Sequence, residues 1–343
     1  MTALAVKKLR ILLLTDEGAV PGKPRSDLSG QDGELRKTEY DVIEALQKLG
    51  HQVSCSGVGS DLAVVRAAIE REHPHIAFNL VEQFDDRRVF AQHVVSYLEL
   101  SKQKYTGCNP RGLTIARDKA LTKKILAYHG ITVPIFAVFA PREKIAVPEG
   151  SKFPLFVKPL AEEGSEGIAQ ASLVHNADKL AERVSFIHEK MNSVALVEEF
   201  IEGREIYVGV YGNGRLTALP PWELTMDNLP VGAPIIATDR AKWNPAYQRK
   251  IGLKSGPASL DDRTAKELQD LSKRIYRLLS LSGYARLDYR LSRDGQLFVL
   301  EANPNPQIAR DEDFANSAKH GGMAFEDLLQ KLISLGMNYT PGQ

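Results

Sequence analysis

The chain has little cysteine: Cys55 and Cys108 are the only two in 343 residues, and they have no CxxC partner and no metal-ligand spacing. That argues against a disulfide framework and a thiolate metal site, and fits a reduced, cytoplasmic protein. It lacks charge of one sign as well, with 44 basic against 43 acidic side chains and a net charge of +1. A nucleic-acid surface needs a basic excess or stripe, so no nucleic-acid partner is expected. Long apolar runs are missing. Ile11-Leu12-Leu13-Leu14, behind Lys7, Lys8 and Arg10, is too short for a signal core or a membrane span. It reads as a buried first strand, and no membrane partner is expected. No internal repeat or low-complexity tract occurs. The eight histidines show no paired metal spacing, and no GxxxxGK[ST] phosphate loop occurs. Gly57-Val58-Gly59 lacks the third glycine of a dinucleotide fingerprint.

What remains is ordinary globular composition, 43% hydrophobic and 25% charged, in a chain long enough for two or three units sharing a cleft. Strand signals at 11–15, 52–56 and 76–80 alternate with helical periodicity at 37–49, 62–72 and 90–100. That order implies a parallel sheet with helices on its faces. The aperiodic, Gly/Pro/Ser/Asp-rich stretch 16–34 is expected to be a functional loop near the cleft. Further on, helices are expected at 118–128, 179–190, 266–280 and 325–335. Strands are expected at 131–139, 153–158, 196–200, 205–211, 216–219, 285–291 and 297–301, with turns at Gly212-Asn213-Gly214 and Asp294-Gly295. Residues 225–256 have little apolar period and read as a lid or clamp.

The most informative stretch is Arg286-Leu287-Asp288-Tyr289-Arg290 followed by Leu300-Glu301-Ala302-Asn303. Strand alternation puts Arg286, Asp288 and Arg290 on one face, and the partner strand brings Glu301 and Asn303 to the same side. Two carboxylates and an amide oxygen suit Mg²⁺, which completes its octahedron with phosphate and water. The bland rival is a surface salt-bridge cluster. Upstream, Val157-Lys158-Pro159 ends a strand and leads into Glu162-Glu163-Gly164-Ser165-Glu166-Gly167. A lysine with such a loop can fold over phosphates, although flexible surface turns share this composition. Val197-Glu198-Glu199-Phe200-Ile201-Glu202-Gly203-Arg204-Glu205 can offer backbone groups to an adenine edge and carboxylates to a ribose, or be an edge strand with solvated acids.

Taken together, in order, with Tyr105-Thr106-Gly107 and Arg117-Asp118-Lys119, these motifs resemble the ATP-grasp superfamily and, within it, the D-alanine–D-alanine ligases and their relatives. The resemblance covers roughly residues 75 to 335. It implies an ATP-grasp fold, part α/β and part α+β: a Rossmann-like unit over 1–115, a small lobe over 116–203 and a C-terminal lobe over 204–343. It further implies that Lys119 and Lys158 contact ATP phosphates under a loop containing Ser165 and Gly167. Glu198 and the backbone of Ile201 would face adenine, and Glu205 the ribose. Asp288, Glu301 and Asn303 would hold Mg²⁺, with Mn²⁺ an alternative, and Arg286 would steady the acyl-phosphate and the tetrahedral intermediate. Lys242, in the clamp, would reach the γ-phosphate. The expected activity is carboxylate–amine ligation of amino-acid or peptide-like small molecules, and the resemblance allows a homodimer.

Three segments depart from the ligase pattern. The family's early Gly-Gly-x-Ser-x-Glu is replaced by Thr15-Asp16-Glu17-Gly18-Ala19-Val20, and its His-Gly motif by Phe78-Asn79-Leu80-Val81-Glu82-Gln83-Phe84. Its Pro-Gly-Met/Leu-Thr run gives way to Pro304-Asn305-Pro306-Gln307-Ile308-Ala309-Arg310-Asp311-Glu312-Asp313. All three fall on the amino-acid substrates and spare the nucleotide site. Asp311-Glu312-Asp313 is either a helix start favoured by the helix dipole or an acidic wall for an amine. Arg290 and Arg310 are equal candidates for a substrate carboxylate. The rival functions are a D-alanine–D-alanine ligase with divergent loops, a phosphotransferase, and a nucleotide-binding protein without turnover.

Overall fold

The structure, a computed structural model, describes residues 8–22, 36–160, 167–230 and 233–342. Ser165 and most of the 16–34 segment lie outside the described residues.

The first sheet is parallel. Strand β1 (Arg10–Asp16) lies between β2 (Gln52–Val58) and β3 (Ile76–Asn79). Residues Ile11 to Leu14 are all buried, as a parallel strand covered on both faces requires. The covering helices are α1 (Lys37–Lys48), α2 (Ala63–Glu72) and α3 (Ala91–Leu100). Asp16, Val58 and Asn79 end the three strands, so the carboxyl edge opens as a crevice.

Two helices follow, α4 (Pro110–Arg117) and α5 (Lys119–Tyr128). The apolar stripe of α4, Leu113 and Ala116, is short, but its cap is explicit. Asn109 Oδ1 accepts the Gly112 N–H at 2.9 Å, and Pro110 occupies the first turn where its missing N–H costs nothing. The second sheet is antiparallel, in the order β4 (Phe136–Phe139), β7 (Ala195–Glu199), β5 (Leu155–Pro159), β6 (Leu173–Val174). The strand expected over 131–139 begins only at Phe136, because Pro134 has no ladder donor. Helix α6 (Ala177–Lys190) packs Leu180, Val184 and Ile187 against Leu155, Val157 and Val197.

The third sheet is built on β8 (Gly203–Tyr211). On one side lie β12 (Tyr284–Ser292) and β13 (Leu297–Pro304), on the other β10 (Trp222–Met226) and β11 (Leu253–Pro257), and β9 (Thr217–Ala218) adds to β8. The clamp expected over 225–256 therefore has structure of its own. Two short helices, α7 (Asp239–Trp243) and α8 (Pro245–Ile251), join β10 to β11, capped by Thr238 and Asn244. Helices α9 (Asp262–Leu278), α10 (Asp313–His320) and α11 (Phe325–Asn338) complete the chain. Among the described residues no helix is long and apolar enough to cross a membrane.

One irregularity positions the site. The β12–β13 register runs Arg286↔Asn303 and Asp288↔Glu301, then jumps to Tyr289↔Val299, so Leu300 is an extra residue. Bulges of this kind free a carbonyl and re-aim side chains. Here Lys123 on α5 donates to that carbonyl, Leu300 O, at 2.8 Å.

Candidate functional site

Cross-strand register gathers the functional side chains on one face of the third sheet. Glu301, Asp288, Tyr207 and Trp222 form one row across β13, β12, β8 and β10. Arg286 and Asn303 form the neighbouring row. Arg286 holds both oxygens of Asp288, at 2.8 Å each. Asn303 Nδ2 donates to Asp288 Oδ2 at 2.9 Å and to Glu301 Oε1 at 3.2 Å, so these three side chains converge on one point. Burial raises the Asp288 pKa to about 7 against the pull of Arg286. Burial would raise Glu301 too, but Lys119, Lys158 and Asn303 bring it down to about 2. Among the described residues no group of three or more His, Cys, Asp or Glu could hold a metal. Two carboxylates and, with the Asn303 amide turned so that its oxygen rather than its NH2 faces them, an amide oxygen are a different donor set, one that fits Mg²⁺ and its retained waters.

Lysines supply the facing wall. Lys119, the first residue of α5, lies 3.7 Å from Glu301. Lys158, near the end of β5, lies 2.9 Å from Glu198 Oε2, and Lys123 is 2.8 Å from Glu198 Oε1. The sequence suggested Glu198 as an adenine contact, whereas its buried carboxylate here faces two ammonium groups. Burial alone would raise its pKa; the two lysines outweigh that and keep it below the ordinary range. Lys123 escaped the sequence reading because it sits within an amphipathic helix, yet it is 1% exposed. Its signal was the four-residue spacing from Lys119, which places both on one helix face.

Glu205 accepts the Tyr207 hydroxyl at 2.7 Å and pairs with Arg290 at 2.8 Å, keeping lone pairs for a ligand hydroxyl. Arg290 also donates to Gly203 O and Ile235 O. Buried and bonded three ways, it is a strut of the sheet, which removes it as a substrate-carboxylate anchor. Arg310 remains more open, 3.3 Å from Glu326 with a 42% exposed side chain. Ile201 lies in the link between β7 and β8, where its backbone is outside both ladders. Gly167 follows the segment outside the described residues, and its carbonyl accepts from Arg183. Lys242 is exposed on α7. Although the side chain reaches solvent, its crowded surroundings desolvate the ammonium and, with Arg286, lower its pKa, while Glu312, Glu301 and Glu82 oppose them.

Acids line the side toward the first sheet. Asp16, at the end of β1, accepts N–H groups of Glu82 and Gln83 at 3.0 and 3.3 Å. Thr15 donates to buried Glu39 at 2.9 Å, and burial raises the Glu39 pKa. In the 311–313 run, Asp311 pairs with Lys37 at 3.0 Å, and Asp313 accepts from Ser255 in the first turn of α10. Glu312 is the N-cap residue but makes no capping bond, and burial followed by Asp313 raises its pKa. The dipole explanation therefore suits Asp313 better than Glu312. Neither cysteine is poised as a nucleophile, since burial pushes Cys55 to about 11 and Cys108 to about 12.

Asp16 gives a stability prediction. Burial raises its pKa from 3.8 to about 6, so the folded state binds the proton more tightly. Stability then falls as pH rises through that window, by at most about 3 kcal/mol. Asp16→Asn is expected to raise the melting temperature by a few degrees at pH 8 and to leave it unchanged at pH 4. Scanning calorimetry at both pH values checks this; an equal shift at both would rule out the ionisation.

Comparison with known proteins shows the family and the fold. The family described as "D-ala D-ala ligase C-terminus" matches residues 125–334. An uncharacterized protein, y4sG, of Sinorhizobium fredii is 32% identical over 303 residues, covering 86% of this chain and 85% of its own. A D-alanine–D-alanine ligase of Desulfotalea psychrophila is 30% identical over 98% of each chain. The fold matches the crystal structure of a D-alanine–D-alanine ligase from Bacillus anthracis complexed with ATP, at a TM-score of 0.73 and 20% identity, over 96% of this chain and 97% of that one. It also matches VanG D-Ala:D-Ser ligase from Enterococcus faecalis, at 0.71 and 18%, over 96% and 100%. The chain belongs to the D-alanine–D-alanine ligase C-terminus family, and is an enzyme of the ATP-grasp carboxylate–amine ligases.

Proposed function

We propose that this chain joins the carboxylate of an amino-acid or peptide-like donor to an amine, using ATP and Mg²⁺ and passing through an acyl-phosphate. The observation that carries this is the convergence of Arg286, Asp288, Glu301 and Asn303 on one sheet face, with Lys119 and Lys158 opposite. A carboxylate is a poor electrophile at neutral pH. Phosphoryl transfer to one of its oxygens creates a leaving group, and needs charge neutralisation and in-line placement more than covalent help. Lys119 and Lys158 would hold the phosphates, with Lys242 reaching the γ-phosphate from the clamp. Asp288, Glu301 and Asn303 would hold a Mg²⁺ ion, which would supply charge neutralisation for the phosphoryl group. Arg286 would stabilise the oxyanion as the amine attacks. The Ile201 backbone and Glu205 would take adenine and ribose, with Gly167 and Ser165 in the loop above the phosphates. Helices α7 and α8 would close over the site and exclude the water that hydrolyses acyl-phosphates. The lobes proposed to form the cleft span 1–115, 116–203 and 204–343.

Close relatives are named D-alanine–D-alanine ligases, but the substrate side of this chain differs. Where the ligases have Pro-Gly, Asn305 accepts the Cys108 N–H at 2.7 Å and braces the wall. The acids Asp16, Glu39, Glu82 and Glu312 favour an acceptor that arrives as an ammonium. Neutralising Glu312 and Asp313 together should raise the acceptor KM about 10-fold and leave ATP binding unchanged; an unchanged acceptor KM would remove this role.

The reading is tested by ADP release with Mg²⁺-ATP over D- and L-amino acids, diamines and short peptides, singly and in pairs, with mass detection of products. Pair-dependent release, with a product one water lighter than its parents, supports ligation and names the substrates. A stable phosphorylated product would replace this reading with a phosphotransferase.

A further inference from the structure

We propose that Tyr207 is a positioning residue that fixes Arg286 and Glu205 together, so that one buried ring orients both the oxyanion cation and the ribose carboxylate. The proposal rests on the nucleotide-site reading above.

Tyr207 lies mid-strand in β8, opposite Asp288 on one side and Trp222 on the other. The Arg286 guanidinium carbon stands 4.4 Å from the ring centroid. The hydroxyl donates to Glu205 Oε1 at 2.7 Å. Trp222, Leu224, Met226 and Ala241 pack with the ring, and Ala241 is the neighbour of Lys242 on α7.

A phenylalanine would pack equally well, but a buried hydroxyl needs an acceptor, and Glu205 supplies it. A leucine would fill the strand face but offer no negative ring face to a guanidinium. Among the described residues the other hydrogen-bonded anchor of Arg286 is the bidentate pair with Asp288. Asp288 is also a proposed cation ligand, so its oxygens are shared between two duties. Among the described residues the tyrosine face has no second cation to serve. Burial holds the phenol pKa far above its ordinary value, and Glu205 adds to this, so the ring stays neutral with its proton in place.

The test compares Tyr207→Phe with Tyr207→Met, which keeps bulk but removes the ring. Four quantities are read: the Kd for ADP with Mg²⁺, kcat, the ratio of ADP released to amide formed, and the melting temperature. Phe is expected to weaken ADP about 3- to 10-fold with kcat within about twofold and coupling intact. Met is expected to weaken ADP to the same extent, lower kcat about a further 10-fold, and release ADP in excess of amide. If kcat falls alike in both variants, in step with melting temperature, the ring is only core packing and the proposal fails. Unchanged ADP affinity in the Phe variant would also overturn it. A wild-type chain that binds no ADP would instead overturn the nucleotide site itself.

Discussion

Glu301→Gln is expected to lower kcat about 10²- to 10³-fold while leaving the fold intact. Its carboxylate is held ionised by the site. Burial opposes the charge, yet Lys119, Lys158 and Asn303 bring the pKa to about 2. Glutamine keeps the shape but loses the charge, so Lys119 loses its ion pair with Glu301 and the cation site keeps one carboxylate. The same shift predicts the pH behaviour of stability. A folded pKa of about 2 against an ordinary 4.5 means that the ionised group stabilises the fold above pH 4.5 and that the benefit is lost as pH falls toward 2. The melting difference between wild type and Glu301→Gln should therefore be a few degrees at pH 7 and shrink at pH 3. Steady-state kinetics and melting curves check the two halves. A variant with wild-type kcat would remove Glu301 from the chemistry.

Glu198→Gln is expected to be the most damaging single change to stability, by about 3–5 kcal/mol. Its side chain is 4% exposed and lies between Lys123 and Lys158, whose side chains are 1% and 8% exposed. Removing the carboxylate leaves two buried ammonium groups facing each other. Burial already lowers the Lys123 pKa, so without Glu198 this lysine should shed its proton first. The loss should therefore be smaller at pH 9 than at pH 6. Denaturant unfolding at both pH values is the check. Because Lys123 also holds the Leu300 carbonyl beside Glu301, Glu198→Gln should weaken ATP binding as well as stability. A variant within about 1 kcal/mol of wild type would show that the buried triad contributes little.

The strands and helices legible in the sequence were those with strong periodicity or strong punctuation. Ile11 to Leu14 could only be a buried strand, and the Arg286–Asp288 and Glu301–Asn303 alternation located the site face before any register was known. Three things were hidden, each for a physical reason. Helix α4 has only eight residues, so its buried stripe of Leu113 and Ala116 is too short to show as a period. Strand β11 is the sheet edge, with little burial and no alternation, and the α7 and α8 helices beside it are short; β10 does alternate, but over only five residues. Lys123 and Tyr207 carry no motif, because a buried cation and a buried phenol reveal themselves only through their partners: Glu198 meets Lys123 and Arg286 meets Tyr207 from strands far away in sequence, and only Glu205 is a near neighbour of Tyr207 on its own strand. Arg290 shows the converse. It shares the face of Asp288 by alternation, but its contacts with Glu205, Gly203 and Ile235 make it structural.

The central claim is that a carboxylate oxygen attacks the γ-phosphate of ATP before the amine arrives. The most direct test uses the donor acid that the substrate panel selects, labelled with ¹⁸O in its carboxylate, and reads the phosphate released during turnover by mass spectrometry. In an acyl-phosphate route the labelled oxygen bridges carbon and phosphorus, then leaves with phosphorus when the amine displaces it. The account predicts one ¹⁸O per phosphate released from fully labelled acid, in step with amide formed. Phosphate free of label while amide accumulates would contradict it.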